Sequence, residues 1–142
     1  MPRLIVEADG GSRGNPGVAA GGAVVVDDAT GHVIAQIGVY LGHATNNVAE
    51  YSGMLAGLTF ALRHSSDETL IVVRMDSKLV VEQMSGRWKI KHPDMADLAR
   101  EARNIIGYRT VEFEWVPRID NARADAVANR AMDLKDSFEI LD

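Results

Sequence analysis

Leu4-Ile5-Val6-Glu7-Ala8-Asp9-Gly10-Gly11-Ser12-Arg13-Gly14-Asn15-Pro16-Gly17 decides how the chain begins to fold. Apolar and β-branched residues fill its first half and turn formers crowd its second, which predicts a strand from Leu4 to Asp9 running into a structured loop. Gly21 to Asp27 is a second such run. The Thr30-Gly31 turn after it is short enough to return a third strand, from His32 to about Leu41, antiparallel to the second.

Beyond that meander the period changes. From Asn47 to about Arg63, Tyr51, Leu55, Leu58 and Leu62 fall on one helical face, with Thr45 or Asn46 as N-cap. Thr69 to Met75 is an almost continuous apolar run, as expected of a strand covered on both faces. Ser77 can cap a short helix through Met84, and Pro93-Asp94 opens a helix ending at Gly107, with Met95, Leu98, Ala102, Ile105 and Ile106 on one face. Val111, Phe113 and Trp115 alternate with Glu112 and Glu114 as a strand whose Trp115 points to the core. A helix from about Ala122 to Met132, capped by Asp120 or Asn121, comes last. The order β-β-β-α-β-α-α-β-α implies an α/β fold, a five-stranded mixed sheet flanked by helices. One domain is expected over residues 1–142, with a core of about 4–132 and an acidic tail over 133–142.

Composition narrows the chemistry. Cysteine is absent, so disulfides and thiolate metal sites are excluded. His32, His43, His64 and His92 have no metal-ligand spacing, which argues against zinc. Gly10 to Gly17 leads into another strand, so it is not a nucleotide-binding fingerprint. A net charge of −5 argues at first against a nucleic-acid partner. Carboxylates that hold cations reverse their local sign, however, and Arg87, Lys89, Lys91 and His92 cluster around Trp88. The absence of an apolar leader or span leads to the expectation of a cytoplasmic protein with no membrane partner, and a monomer is expected.

Four acids stand at informative places: Asp9 and Asp76 at strand ends, Glu50 in the first turn of the long helix, Asp125 in the last helix. Neighbouring central strands would bring Asp9 and Asp76 together, a repulsion that cations between them relieve. Hard oxygen donors select magnesium or manganese, and two ions about 3.5–4 Å apart can activate a water and stabilise a leaving oxygen on a phosphodiester. Each acid also has a plain structural reading: an Asp-Gly turn for Asp9, a helix-dipole partner for Glu50, a cap for Asp76, a solvated face for Asp125.

Asp9-Gly10-Gly11-Ser12-Arg13-Gly14-Asn15-Pro16-Gly17, Thr45-Asn46-Asn47-Val48-Ala49-Glu50, Met75-Asp76-Ser77 and Asn121-Ala122-Arg123-Ala124-Asp125-Ala126-Val127-Ala128-Asn129 resemble, in order, the four signatures of type 1 ribonuclease H. The resemblance covers Leu4 to about Met132. It implies an endonuclease that cuts the RNA strand of an RNA–DNA hybrid, leaving 5′-phosphate and 3′-hydroxyl ends. It also implies two Mg2+ ions, replaceable by Mn2+, on Asp9, Glu50, Asp76 and Asp125. In the family's pattern Asp9 bridges both ions, Glu50 and Asp76 hold the one near the nucleophilic water, and Asp125 steadies the one near the 3′ oxygen. Gly11, Ser12, Asn15 and Asn46 are implied RNA-strand contacts, and Thr45 and Asn47 lie toward a DNA-side phosphate. Without the resemblance, Asn15-Pro16-Gly17 reads as a turn and Asn46-Asn47 as a cap. Lys78 takes the place of a polar substrate contact, and Trp88 with Lys89 suits packing on a deoxyribose, against the alternative of a solvated loop with one core Trp.

Two departures stand out. Met84 to Pro93 leaves no room for the basic helix-and-loop insertion of many bacterial members, and Val116-Pro117-Arg118-Ile119-Asp120-Asn121 replaces a histidine loop, with Arg118 as a substitute phosphate contact. Asp76 to Lys89 resembles the actinobacterial branch, in some of whose members a phosphatase-like domain follows. The competing readings are a structure-specific DNA nuclease on the same fold and a non-enzymatic hybrid-binding module. Paired asparagines with a glycine loop disfavour the first, and an intact acid quartet disfavours the second.

Overall fold

The computed structural model describes residues 2–142. Their order is β1 (Arg3–Arg13), β2 (Gly17–Asp27), β3 (Val33–Ala44), α1 (Asn46–Arg63), β4 (Leu70–Met75), α2 (Lys78–Met84), α3 (Pro93–Ile106), β5 (Val111–Trp115), a short 3-10 helix Arg118–Asn121, α4 (Ala122–Leu134) and β6 (Phe138–Leu141). The sheet runs β5-β4-β1-β2-β3-β6. β1 pairs parallel with β4, and β4 with β5; the β1–β2–β3 meander and the β3–β6 pair are antiparallel.

Strand alternation divides the apolar residues between two layers. Val6, Ala8, Val25, Ile71, Val73 and Met75 face α1 and its neighbours, where Tyr51, Met54 and Leu58 fill the larger core. Ile5, Val24, Val26 and Val72 face the other way, onto Val127 of α4. Lying between the sheet and α3, α1 is buried on most of its circumference rather than along one stripe.

Backbone contact seats the two helices that matter most. A Cβ on Gly10 would lie 2.2 Å from the Ala49 carbonyl carbon, and one on Gly53 would lie 2.1 Å from the Asp9 oxygen. Here α1 rests on β1 main chain to main chain, closer than any side chain permits. On the opposite face a Cβ on Gly22 would come within 2.5 Å of the Ala128 nitrogen, which sets α4 equally close to β2.

Four expectations are corrected. The first strand does not give way to a loop after Asp9: β1 runs on to Arg13, paired with β2 throughout, so Asp9 lies within the strand. The sheet has six strands, not five, because residues 133–142 are not merely an acidic tail. After Lys135 turns the chain in the left-handed region (φ 52°), Phe138–Leu141 pairs with Ala35–Gly38 and covers the open edge of β3. Phe138 lies over Gly38, with the Arg130 guanidinium 4.8 Å from its ring. The scattered acids of this segment masked its apolar alternation. Trp115 is not core but 47% exposed, since β5 is an edge strand whose last residue runs past its cover. Ile105 is likewise exposed, and Ala99 takes its place beside Met95 and Ala102.

Candidate active site

The β1–β4 register carries the site. Pairing ends at Glu7 opposite Arg74, and continuing it two residues sets Asp9 level with Asp76 where the parallel strands part. That place, at the carboxyl ends of parallel strands, is where open α/β sheets form crevices. The Gly10–Ala49 contact brings Glu50 to the same crevice from one face, and the Gly22–Ala128 contact brings Asp125 from the other. Asp9, Glu50, Asp76 and Asp125 line one cavity of about 440 Å3 with Gly11, Ser12, Asn46 and Arg118.

Crowding shows in the proton affinities. Burial pushes the Asp9 carboxyl up to about 7, the Asp76 charge adds to it, and Asp125 adds both charge and a hydrogen bond, against a Gly10 N–H that favours ionisation. Glu50 is also raised to about 7, by burial first and then by Asp76, despite a hydrogen bond with Ser77. Among the described residues no three such groups enclose an ion by themselves. Hard carboxylate oxygens on one open cavity suit magnesium, which keeps several waters and takes substrate oxygens as further ligands. The donor set and its mutual repulsion therefore fit divalent cations held by the four acids.

The remaining candidate residues fall into three groups. The first frames the cavity: Asn46 Nδ2 donates to Glu50 Oε1 (3.3 Å), Asn15 Oδ1 accepts from the Asn46 N–H (3.1 Å), and Thr45 Oγ1 caps α1 through the Val48 N–H (3.3 Å). Ser12 Oγ donates to the Ala44 carbonyl (2.9 Å), tying the glycine-rich strand to the end of β3. Thr45 and Asn15 thus hold the cavity's frame without lining it.

A second group lies apart from the acids. Asn47, Trp88 and Lys89 line a separate groove of about 610 Å3 with Arg87, Lys91 and His92. Buried Gln83 anchors this groove, accepting from Tyr51 Oη (2.7 Å) and donating to the Lys89 carbonyl (3.2 Å). Trp88 is half-exposed, and Arg87 is paired with Glu82. Lys78 enters neither cavity; its Nζ lies 5.6 Å from the Trp115 ring, whose Nε1 donates to the Asp76 carbonyl (3.2 Å).

Sequence reasoning missed the third group. Asn121 was assigned only as a possible cap, yet its side chain makes no cap bond and reaches Asp76 instead. Its position at the end of a short 3-10 helix, four residues before Asp125, was the available signal. Trp115 was hidden by the alternation of an edge strand.

Residues 7–131 match the family described as reverse transcriptase-like. The bifunctional protein Rv2228c of Mycobacterium tuberculosis is 52% identical over 132 residues, covering 92% of this chain and 36% of that protein, so the chain spans about a third of the length of such curated relatives. The solved N-terminal RNase H domain of Rv2228c superposes with a TM-score of 0.88 at 50% identity, covering 94% of this chain and 96% of that one. RNase H1 of Halobacterium salinarum gives 0.85 at 41% identity over 92% and 98%. LC11-RNase H1, solved with an RNA/DNA hybrid, gives 0.87 at 36% identity over 93% and 98%. With the ordered acids, the shared fold and these identities over nearly whole domains, the chain belongs to the ribonuclease H family.

Proposed function

We propose that the chain hydrolyses the RNA strand of an RNA–DNA hybrid, using two divalent cations held by Asp9, Glu50, Asp76 and Asp125. The observation that carries this reading is the convergence of those acids, from β1, α1, β4 and α4, on one open cavity beside a glycine-rich strand. Magnesium, or manganese in its place, would supply an activated water and charge stabilisation at the leaving oxygen. Water oxygen bonds to phosphorus, the bond to the 3′ oxygen breaks, and the products carry a 5′-phosphate and a 3′-hydroxyl.

The protein's own groups orient and discriminate. Gly11, Ser12 and Asn46 offer close main-chain and amide contacts to a minor groove, where 2′-hydroxyls distinguish RNA from DNA. Asn15 and Thr45 hold Asn46 and the start of α1 in place for that contact. Arg118, exposed at the cavity's rim, would pair with a phosphate. Asn47, Trp88 and Lys89 would take the DNA strand in the second groove, with Lys78 as a further polar contact beside Asp76. Among the described residues, no helix is long and apolar enough to cross a membrane. We place the activity in the cytoplasm, on a monomeric domain, and infer fusion to a phosphatase-like domain in a longer parent chain as one arrangement it takes.

Strand-labelled RNA–DNA hybrid, with RNA–RNA and DNA–DNA duplexes beside it, tests the proposal with magnesium, manganese or chelator. Metal-dependent cutting of the hybrid's RNA alone, lost in Asp76→Asn, is expected. Cutting of DNA–DNA, or none in either metal, would overturn it.

A further inference from the structure

Asn121 sits where α4 begins and is 1% exposed. An asparagine at that position ordinarily accepts a hydrogen bond from the second or third helical N–H, which stabilises the helix start. This one does not. Its Nδ2 donates instead to the Ala8 carbonyl and to Asp76 Oδ1, both at 2.9 Å. Two acceptors on one amide end fix its orientation, since the flipped form would set oxygen against two oxygens. Among the described residues, the Asn121 Oδ1 is buried with no hydrogen-bond partner, a cost that stability alone does not explain.

The two bonds join the strands that carry the reacting acids. Ala8 immediately precedes Asp9 on β1, and Asp76 follows the last residue of β4, just beyond the ladder that pairs these strands. Asn121 bridges the gap where that ladder stops. Trp115 Nε1 holds the Asp76 main-chain oxygen at the same time, so side chain and backbone of this acid are gripped separately.

We propose that Asn121 is a positioning residue, which fixes the Asp76 carboxylate against β1 and so sets its spacing from Asp9. The inference rests on the reading of the four acids as a metal site. Asn121 is not among the residues that line the acid cavity; it acts through Asp76. A partner of this kind behind a metal ligand commonly changes metal affinity or activity by about 10–100-fold.

The test compares native protein, Asn121→Ala, the near-isosteric Asn121→Asp, Asp76→Asn, and the Asn121→Ala/Asp76→Asn double variant. Mn2+ affinity is read by calorimetry, folding by thermal melting, and kcat and KM with magnesium on hybrid. Asn121→Ala is expected to fold, to bind Mn2+ at least about tenfold more weakly and to lose a similar factor in kcat, with KM nearly unchanged. Asn121→Asp should lose as much, because it turns a carboxylate oxygen toward two acceptors. In the Asp76→Asn background, Asn121→Ala should leave Mn2+ affinity unaltered. Native-like metal affinity and kcat in Asn121→Ala would overturn the proposal, as would a metal deficit that persists without the Asp76 carboxylate. Unfolding of both Asn121 single variants would assign Asn121 to the fold alone and overturn the proposal. Native protein that neither binds Mn2+ nor cuts hybrid would remove the metal-site reading itself and this inference with it.

Discussion

Asp9 and Glu50 each hold a proton up to about pH 7 in the metal-free fold, far above the 3.8 and 4.5 of the free side chains. A group whose pKa is raised by folding stabilises the fold below its unfolded value and loses that contribution as pH climbs through the folded one. The contribution of these two groups to the stability of the metal-free protein should therefore be greatest near pH 4 and be lost toward pH 8. Melting curves in chelator check this: Glu50→Gln should exceed native at pH 8, by about 4 °C for each kcal/mol recovered, and the gap should close at pH 4. Magnesium should narrow it at pH 8 too, because cation binding displaces the protons. A native melting point that does not fall with pH in chelator would contradict the assignment. Arg118 belongs to the same scale. Arg118→Ala should raise KM for hybrid and lower the salt slope by about one unit, and steady-state kinetics at stepped salt would show it.

At the scale of elements, the site exists because two helices touch the sheet through glycine. Gly10→Ala would place a methyl 2.2 Å from main-chain carbon of α1, which cannot swing aside as a flexible side chain would. The helix must move, and Glu50 with it. A destabilisation of about 1–3 kcal/mol is expected by urea unfolding, with a loss of kcat in the folded protein that no change in melting point accounts for. Gly22→Ala should act alike through α4 and Asp125. β6 makes the opposite case, since it lies at the far edge of the sheet from β4 and β5. Phe138→Ala should cost about 2 kcal/mol of stability while leaving kcat near native; an equal loss in both would mean that the β3 edge reaches the site.

For the whole molecule, distribution of charge outweighs its total. The chain carries −5, yet four of its acids share one crevice while Arg87, Lys89, Lys91 and His92 rim the groove of Trp88. Asn47 at the start of α1 belongs to that groove, and Asn46 beside it belongs to the acid cavity, so the helix start separates the two. A duplex lying across both would give one strand to each. Binding of labelled hybrid to the inactive Asp76→Asn protein should weaken steeply with salt despite the net negative charge. Lys89→Ala should reduce the slope of log K against log salt by about one, and Trp88→Ala should weaken binding with the slope unchanged. Equal slopes for Lys89→Ala and its parent would remove the groove from the interface.

Local sequence determined much of this protein. Strand and helix periods predicted nine elements, through runs such as Thr69 to Met75 and caps such as Thr45 and Ser77, and the four acids were legible because each stands in one of four ordered motifs. Ordering alone set Leu4 to Ala8 beside Leu70 to Met75. Tertiary structure decided the rest, for reasons that local pattern does not contain. Whether Trp115 is covered depends on β5 being an edge strand, and whether residues 138–141 form a strand depends on an open neighbour at β3. Asn121 is the sharpest instance: its local sequence specifies a helix cap, but Ala8 and Asp76, 113 and 45 residues away in the chain, compete for the same amide and win it. Hydrogen-bond partners that distant become available only when the chain is folded, so the choice between cap and bridge is made by the fold.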